Sequence, residues 1–394
     1  MIRKIPVIGP SATFGDIAYA VTRAGNASVR AEFESAISGY TGLRYVCTAS
    51  SGIAAFYLIL KALSRLSCRT EVLLPAYTAG SLIVAVRKAG LKPVLYDISL
   101  KDFNTDTDSL SLAVSGRTLA VVCVYMFGIG MAGIAGLREK LPRDVALVED
   151  CAQAMGSTVG GTAVGNFGDV AFFSFNRGKN MPVCAGGCVA TNSERISKTI
   201  ADIRKELCLC DAAIKLSTLF KTVAFSLAAR PYIYGWAYSL ASRFKETAPP
   251  DDFNVSGMEA FQCAIGLALL KRFEGLAVRR HDNGIFLTAA LKDLSGITLS
   301  AISAGSRTVF NRFPIMFEDP HAPNQAVKKL WRSGIESSPM YIKPLHHMFD
   351  LGYKKEEFPN ACYLAERILT LPVYPSVRRD DLSRAAGVIR EILA

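Results

Sequence analysis

Short runs of apolar and β-branched residues alternate with longer helical patterns between about residues 44 and 200. Such runs are typical of buried parallel strands, and apolar residues spaced three or four apart are typical of the helices that cover them. The predicted strands are RYVCTA, EVLLPAY, KPVLYDI, TLAVVCVYMF, VALVED, DVAFFSF and GCVATN, and the predicted helices are IAAFYLILKALSRL, SLIVAVRKAG and IAGLREKL. The pattern predicts an α/β fold, a large domain with a mostly parallel seven-stranded sheet flanked by helices.

The pattern changes in the last third of the chain. APPDD predicts a turn before a long helix from about Gly257 to Asn283. Strand-like ITLS and VFNRFPIMF then alternate with helical patterns near 323–333, 360–368 and 380–393. We therefore expect a large domain over residues 1–250, and a linking helix with a smaller C-terminal α/β domain over residues 251–394.

Residues 207–250 interrupt the α/β pattern with an aromatic and apolar helical segment, LSTLFKTVAFSLAARPYIYGWAYSLASRFKE. Its longest uncharged stretch is too short and too polar to span a bilayer. Peripheral contact with a membrane surface is one interpretation, and packing at a subunit or domain contact is the other. The weak basic face of the segment favours the second.

The amino-acid composition indicates which kind of ligand the chain binds. The chain has 394 residues, 50% of them apolar, and a formal net charge of +11. A positive field attracts anions, but the basic residues are scattered and no nucleic-acid module is recognisable. An anionic metabolite is therefore favoured over nucleic acid.

The ten cysteines show no zinc-like pairing, and the four histidines lie far from the closest cysteine pairs, so no metal is expected. The N-terminus lacks the sustained apolar region of a secretory signal. The cysteines are accordingly interpreted as reduced thiols of a cytoplasmic protein.

Three polar features follow predicted strands. Asp150 ends VALVED, and a carboxylate at the end of a buried strand is costly unless it meets a ligand or a cation, although it could equally cap a following helix. Ser50, Ser51 and Gly52 join a strand to a helix, where free N–H groups suit a phosphate or serve only as a cap. Lys179 follows DVAFFSF, and a single loop lysine is usually a solvated charge.

Together, these features are the parts that pyridoxal 5'-phosphate (PLP) requires. A lysine amine can hold the cofactor covalently, a carboxylate can keep the pyridine nitrogen protonated, and a helix start can bind the phosphate. Each part is ordinary alone, and their order along the chain is informative.

The chain resembles the DegT/StrS group of PLP-dependent nucleotide-sugar aminotransferases, which have the aspartate aminotransferase fold. The resemblance runs almost end to end, through FESAISGYTG, ASSGIAAF, LLPAYTAGSLIVAVRKAGLKPVLYDI, VEDCAQAMGS, VGNFGDVAFFSFNRGKN, FNVSGMEAFQCAIGLALLKR, PLHHM and FPNACYLAERILTLPVYP.

The resemblance implies a role for each matching residue. Lys179 corresponds to the lysine that forms the Schiff base, and Asp150 to the partner of the pyridine nitrogen. The other implied cofactor-binding residues are Gln153 near the ring hydroxyl, Ser174 on the phosphate, Ser51, Gly52 and Ile53 in the backbone cradle, and Asn254, lent by the partner subunit of a homodimer. From the residues alone, Asn254 would be a turn or capping residue.

Some positions depart from the family pattern. Ile53 stands where a threonine is common, Ala79 replaces the aromatic residue that stacks on the ring, Gly178 precedes the lysine, and Ser256 replaces an arginine. Met340 stands where many relatives have a histidine, beside Tyr341. Tyr77 could take over the stacking.

The resemblance implies transfer of an amino group from an amino-acid donor, L-glutamate, to a keto group of a nucleotide-linked sugar, for polysaccharide or glycoconjugate synthesis. Retention of Lys179 favours transamination over the dehydration catalysed by a related subgroup. The alternatives are a PLP enzyme that acts on a non-sugar ketone and a non-catalytic PLP-binding regulator.

Overall fold

The computed structural model describes residues 3–10, 12–207, 216–241 and 251–394. Helices α1 to α14 are Phe14–Arg23, Val29–Thr41, Gly52–Leu66, Ser81–Lys88, Thr107–Ala113, Ile134–Lys140, Glu194–Glu206, Leu216–Ala228, Pro231–Ala241, Ala260–Leu270, Phe273–Leu291, Ala322–Arg332, Pro359–Arg367 and Arg379–Leu393. Strands β1 to β12 are Tyr45–Ala49, Glu71–Pro75, Lys92–Tyr96, Thr118–Val124, Ala146–Asp150, Thr158–Val159, Thr162–Ala163, Val170–Ser174, Gly187–Thr191, Ile297–Thr298, Phe313–Phe317 and Ile368–Leu371.

The main sheet has seven strands in the order β1-β9-β8-β5-β4-β2-β3. Strands β3, β2, β4, β5 and β8 pair in parallel, and β9 pairs antiparallel with both β8 and β1. Only β9 is therefore reversed within this sheet. The predicted α/β class with a mostly parallel seven-stranded sheet is confirmed.

Alternate residues of the strands enter two separate cores, one on each face of the sheet. Leu74 and Phe172 belong to the core that α3 and α4 cover, whereas Leu73 and Phe173 belong to the core beneath α1, α2 and α10. Because successive strand residues point to opposite faces, apolar residues at every position produce a sheet buried on both sides.

A second sheet is built from the C-terminal part of the chain. It has three antiparallel strands in the order β10-β11-β12, with α12, α13 and α14 in the same part of the sequence. The domain boundary at residues 250/251 stays a prediction.

The single long helix predicted from Gly257 to Asn283 is wrong. The structure has α10 and α11 there, separated at Lys271 and Arg272 and extending to Leu291. Helix α10 is apolar and packs on α1 and α2, and Arg272, with non-helical backbone angles, pairs with Asp16 of α1 at 2.5 Å. The break thus comes where the apolar helix gives way to two charged residues.

The described parts of the 207–250 segment are Leu207 and helices α8 and α9, while residues 208–215 and 242–250 lie outside the described residues. The Tyr234 hydroxyl donates to Glu336 at 2.7 Å, and the Arg177 guanidinium lies over the Phe225 ring at 3.9 Å. These contacts attach α8 and α9 to the body of the chain. Among the described residues, no helix combines the length and apolar character needed to cross a bilayer.

Candidate active site

Three candidate residues lie at one edge of the main sheet. Strands β1 and β8 both run opposite to β9, and β5 runs parallel to β8, so their carboxyl ends share an edge. Ser51 follows β1, Asp150 ends β5 and Ser174 ends β8. The loop that contains Lys179 leaves from the same edge, which is where open α/β sheets bind ligands.

Asp150 is buried at this edge, with 6% of its surface exposed. Its Oδ1 accepts a hydrogen bond from the backbone N–H of Ala152 at 2.9 Å. Burial raises the pKa of Asp150 to about 6, and the Ala152 N–H and the positive charge of Lys179 act in the opposite direction. The structure therefore brings Asp150 and Lys179 close enough to interact electrostatically. Residues 152–156 form turns, so Asp150 does not cap an α-helix.

The neighbouring carboxylate, Glu149, has a different function. Its side chain accepts hydrogen bonds from the backbone N–H groups of Gly165, Phe167 and Gly168, at 2.6–2.8 Å, and from the Tyr125 hydroxyl. Adjacent strand residues point to opposite faces of the sheet. Glu149 therefore anchors the 165–168 loop, whereas the Asp150 side chain lies at the edge that holds the other candidate residues.

The loop that contains Lys179 is fixed by polar side chains from the second half of the chain. Asn311 Nδ2 donates to the carbonyl oxygen of Gly178 at 2.6 Å and to Asn180 Oδ1 at 3.2 Å. The buried Arg280 donates to the carbonyl oxygen of Lys179 at 3.4 Å. Sequence reasoning missed Asn180, Arg280 and Asn311, because no local pattern links α11 and residue 311 to a loop so far away in the chain.

Gly178 has a conformational reason to precede Lys179. Its φ is +77°, in the left-handed region that favours glycine, and a Cβ there would lie 3.1 Å from the side chain of Ile8. The departure from the family pattern at this position therefore matches the local turn.

The start of α3 is closely packed against β8 and β9. Ser51 Oγ caps the helix by accepting from Ala54 N at 3.1 Å. A Cβ on Gly52 would lie 2.7 Å from Ser174 Cβ, and a Cβ on Gly187 would lie 2.6 Å from Gly52 N. The first turn of α3, which includes Ile53, thus lies directly beside Ser174, with the unpaired N–H groups characteristic of a helix start.

Gln153 and two tyrosines lie beside Asp150. Gln153 Oε1 accepts from Phe127 N at 3.1 Å, and its Nε2 donates to the Tyr341 hydroxyl at 3.4 Å. The Tyr341 ring meets the buried Tyr77 ring edge to face, with centroids 5.6 Å apart. Burial raises the pKa of the Tyr341 hydroxyl, and the negative charge of Asp150 raises it further. Tyr77 therefore has an aromatic partner at the site, whereas Ala79 offers none.

Asn254 lies beside the α3 start of its own chain. Ser50 Oγ donates to the Asn254 carbonyl oxygen at 3.2 Å, and Ser50 N donates to the Ser256 carbonyl oxygen at 2.8 Å. The backbone of Asn254 thus lies beside the start of α3 in the same chain.

A family comparison adds to this geometry. The model of the DegT/DnrJ/EryC1/StrS aminotransferase family matches residues 19–390, which is most of the chain. This chain belongs to that family. The resemblance identified from the sequence motifs is confirmed.

Individual members of the DegT/DnrJ/EryC1/StrS family are similar over nearly their full length. A UDP-N-acetyl-3-dehydro-alpha-D-glucosamine 3-aminotransferase of Acidithiobacillus ferrooxidans is 28% identical, covering 91% of this chain and 87% of that protein. A dTDP-3-amino-3,4,6-trideoxy-alpha-D-glucose transaminase of Micromonospora megalomicea is 26% identical, covering 92% and 88%. The crystal structure of the sugar aminotransferase CalS13 from Micromonospora echinospora superposes with a TM-score of 0.79 at 20% identity, covering 98% and 99%, and shows the shared fold.

Aminotransferases of the DegT/DnrJ/EryC1/StrS family use PLP, and the residues at the sheet edge fit this cofactor. The raised pKa of Asp150 shows a buried acid that a nearby cation would stabilise, as a protonated pyridine nitrogen does. Gly52 and Ser174 offer a backbone turn and a hydroxyl in contact with each other, which suit a phosphate. An amine, an acid and an anion-binding turn are thus all present at this edge.

Proposed function

We propose that this chain transfers an amino group from L-glutamate to a keto group of a nucleotide-linked sugar, for polysaccharide or glycoconjugate synthesis. The observation that carries the proposal is that Asp150, Ser174 and the loop of Lys179 share the ligand-binding edge of an aminotransferase-family sheet. The names of the relatives, which act on UDP- and dTDP-linked sugars, support this substrate class. They do not favour the non-sugar ketone or the non-catalytic regulator.

Each candidate residue has a proposed task. PLP supplies an electron-accepting ring that acidifies the α-carbon of a bound amino acid. Lys179 Nζ would hold the cofactor covalently, and as a free amine it would accept the proton that leaves the α-carbon of the donor. Asp150 would keep the ring nitrogen protonated, and the Gln153 amide would donate to the ring hydroxyl. Ser51, Gly52, Ile53 and Ser174 bind the phosphate.

We propose that Asn254 also contributes to phosphate binding. As the resemblance implies, this asparagine would be lent by the partner subunit of a homodimer. A homodimer remains part of the proposal, with α8 and α9 at the contact, because Phe220 and Trp236 expose 73% and 75% of their surface.

The proposal also covers the domain division of the chain and its location in the cell. The domain division at residues 250/251 is supported by the separate three-stranded sheet, whose strands all lie between residues 297 and 371. A cytoplasmic location is supported by the eight cysteines of the described ranges, all of which are free thiols.

The test is an assay of purified protein with L-glutamate and a panel of UDP-, dTDP- and GDP-linked keto-sugars. We expect 2-oxoglutarate and an aminated sugar, detected by mass, and no product from Lys179→Ala. Lys292→Ala, which alters a lysine at the C-terminal end of α11, serves as the matched control and keeps activity. Turnover by Lys179→Ala, or amination only of non-sugar ketones, contradicts the proposal.

A further inference from the structure

Two histidines and a cysteine converge outside the site described above. His346 and His347 lie in the segment after Pro344, and Cys362 lies on α13. One potential ligand atom from each residue lies within 4.8 Å of the other two. The sequence spacing gave no sign of this cluster, because the loop between His347 and α13 folds back to bring the three side chains together.

The two sulfur-to-nitrogen distances in this cluster are close to those around a tetrahedral metal ion. Cys362 Sγ lies 3.7 Å from His346 Nε2 and 3.9 Å from His347 Nε2. Ligand bonds of about 2.3 Å to sulfur and about 2.0–2.1 Å to nitrogen place such atoms roughly 3.6 Å apart at tetrahedral angles. Both imidazoles point the same ring nitrogen toward the thiol, as ligands of one ion do.

A backbone oxygen closes the cluster on its remaining side. The carbonyl oxygen of Lys355 lies 3.3 Å from His346 Nε2, 2.9 Å from His347 Nε2 and 3.6 Å from Cys362 Sγ. Four potential metal-ligand atoms, two nitrogens, one sulfur and one oxygen, therefore surround one small volume. Hydrogen bonds from the two imidazoles to this carbonyl are the competing explanation, and they require no ion.

We propose that His346, His347 and Cys362 bind one zinc ion, with the Lys355 carbonyl oxygen on the fourth side. A mixed set of two imidazoles and one thiolate suits zinc better than magnesium or calcium, which prefer oxygen ligands. Binding replaces the thiol proton of Cys362, which is released to solvent. His347 is exposed and His346 is buried, so the ion has a path of entry from the surface.

The ion would connect two segments that both contact the main sheet. Leu345 N donates to the Ala76 carbonyl oxygen at 2.8 Å, immediately before Tyr77. On α13, the N–H groups of Asn360 and Ala361 donate to Asp97 at 3.0 and 2.9 Å, just after β3. Zinc would thus stabilise the attachment of the 345–362 segment to the carboxyl ends of β2 and β3. This structural role does not depend on the proposed function.

Cobalt(II) provides the test, because a thiolate ligand gives it a sulfur-to-metal charge-transfer absorbance. Full-length protein, stripped of metal with a chelator, is titrated with Co²⁺ and read as a difference spectrum. We expect one cobalt per chain with the charge-transfer band, displacement of cobalt by Zn²⁺, and a higher Tm with Zn²⁺.

Three variants decide the assignment. Cys362→Ser loses the band and the Zn²⁺-dependent rise in Tm, and His347→Ala, at an exposed position, binds Co²⁺ at least about tenfold more weakly. Cys68→Ser, which alters an exposed cysteine outside the cluster, keeps both signals. The proposal is overturned if the unmodified chain binds no cobalt, or if Cys362→Ser keeps the band.

Discussion

At the scale of single residues, the carboxyl group of Asp150 is held where burial raises its pKa from 3.8 to about 6. An acid whose pKa is higher in the folded chain than in the unfolded chain stabilises the fold most when it is protonated. Its contribution is complete below about pH 4 and is lost as the pH rises through about 6. The protonated pyridine nitrogen of bound PLP would offset this loss of stability, because it would pair with the ionised Asp150. The stability of the folded chain is therefore expected to depend on cofactor binding.

We predict that Asp150→Asn makes the cofactor-free protein more stable than wild type at pH 8. The raised pKa corresponds to about 3 kcal/mol at 1.36 kcal/mol per pH unit, which is an upper estimate for the gain. The gain should shrink toward zero near pH 4, where wild-type Asp150 is protonated. Urea unfolding of both proteins at several pH values measures it.

The same substitution should abolish most of the transaminase activity, because the amide cannot hold the ring proton. A stability difference that is equal at pH 4 and pH 8 would show that the Asp150 carboxyl group is not the titrating group. Full activity of Asp150→Asn would remove Asp150 from the catalytic machinery.

At the scale of elements, the loop between β8 and β9 depends on contacts with α11 and the residues before β11. Asn311 bonds to the Gly178 carbonyl oxygen on one side of Lys179 and to Asn180 on the other. We predict that Asn311→Ala costs about 1–3 kcal/mol of stability, because it leaves the buried Asn180 Oδ1 and the part-buried Gly178 carbonyl oxygen without their donor. It should also weaken PLP binding, measured by the rate of cofactor release.

Asn166→Ala is the matched control for this loop. Asn166 Nδ2 also makes two hydrogen bonds, to the carbonyl oxygens of Thr41 and Ala163, but none to the Lys179 loop. We expect a comparable loss of stability with unchanged cofactor release. Equal release from both variants would mean that Asn311 has only a structural role.

The local sequence pattern was sufficient to predict the helices and strands whose apolar residues recur at regular spacing. All seven strands of the main sheet were predicted, since each contains a short run of apolar and β-branched residues. The helix break at Lys271 was not predicted, because the contact beside it, Arg272 with Asp16 of a helix far away in the chain, is not visible in the local pattern. Strand β12 was not predicted, and only its first residue, Ile368, falls within the helix predicted near 360–368, because ILTL pairs with β11 only in the folded chain.

The residues of the candidate site also divide into those that the sequence pattern identifies and those that only the folded structure identifies. Asp150, Ser174 and Lys179 could be found because they follow recognisable strands and match family motifs. Arg280 and Asn311 could not, since their importance comes from backbone oxygens they reach only in the folded chain. The cluster of His347 and Cys362 likewise depends on the fold of the intervening loop.

At the scale of the whole molecule, α8 and α9 present large apolar side chains to solvent. We predict that the unmodified chain has a solution mass near twice 42.5 kDa and that Trp236→Glu lowers it toward 42.5 kDa. A charge in an apolar contact costs desolvation energy and weakens association. Light scattering after size-exclusion chromatography measures both masses.

Leu112→Glu is the control, since Leu112 is also an exposed apolar residue but lies on α5. It should leave the mass unchanged. An unmodified chain of 42.5 kDa, or a Trp236→Glu variant that keeps the double mass, would exclude this surface as the contact.

The guanidinium of Arg177, over the Phe225 ring, joins the loop of Lys179 to the helix that bears this surface. A partner that docks on α8 would therefore act on a loop in which Arg177 lies two positions from Lys179 along the backbone. Assembly and turnover would then be linked through this contact, and specific activity is expected to fall on dilution.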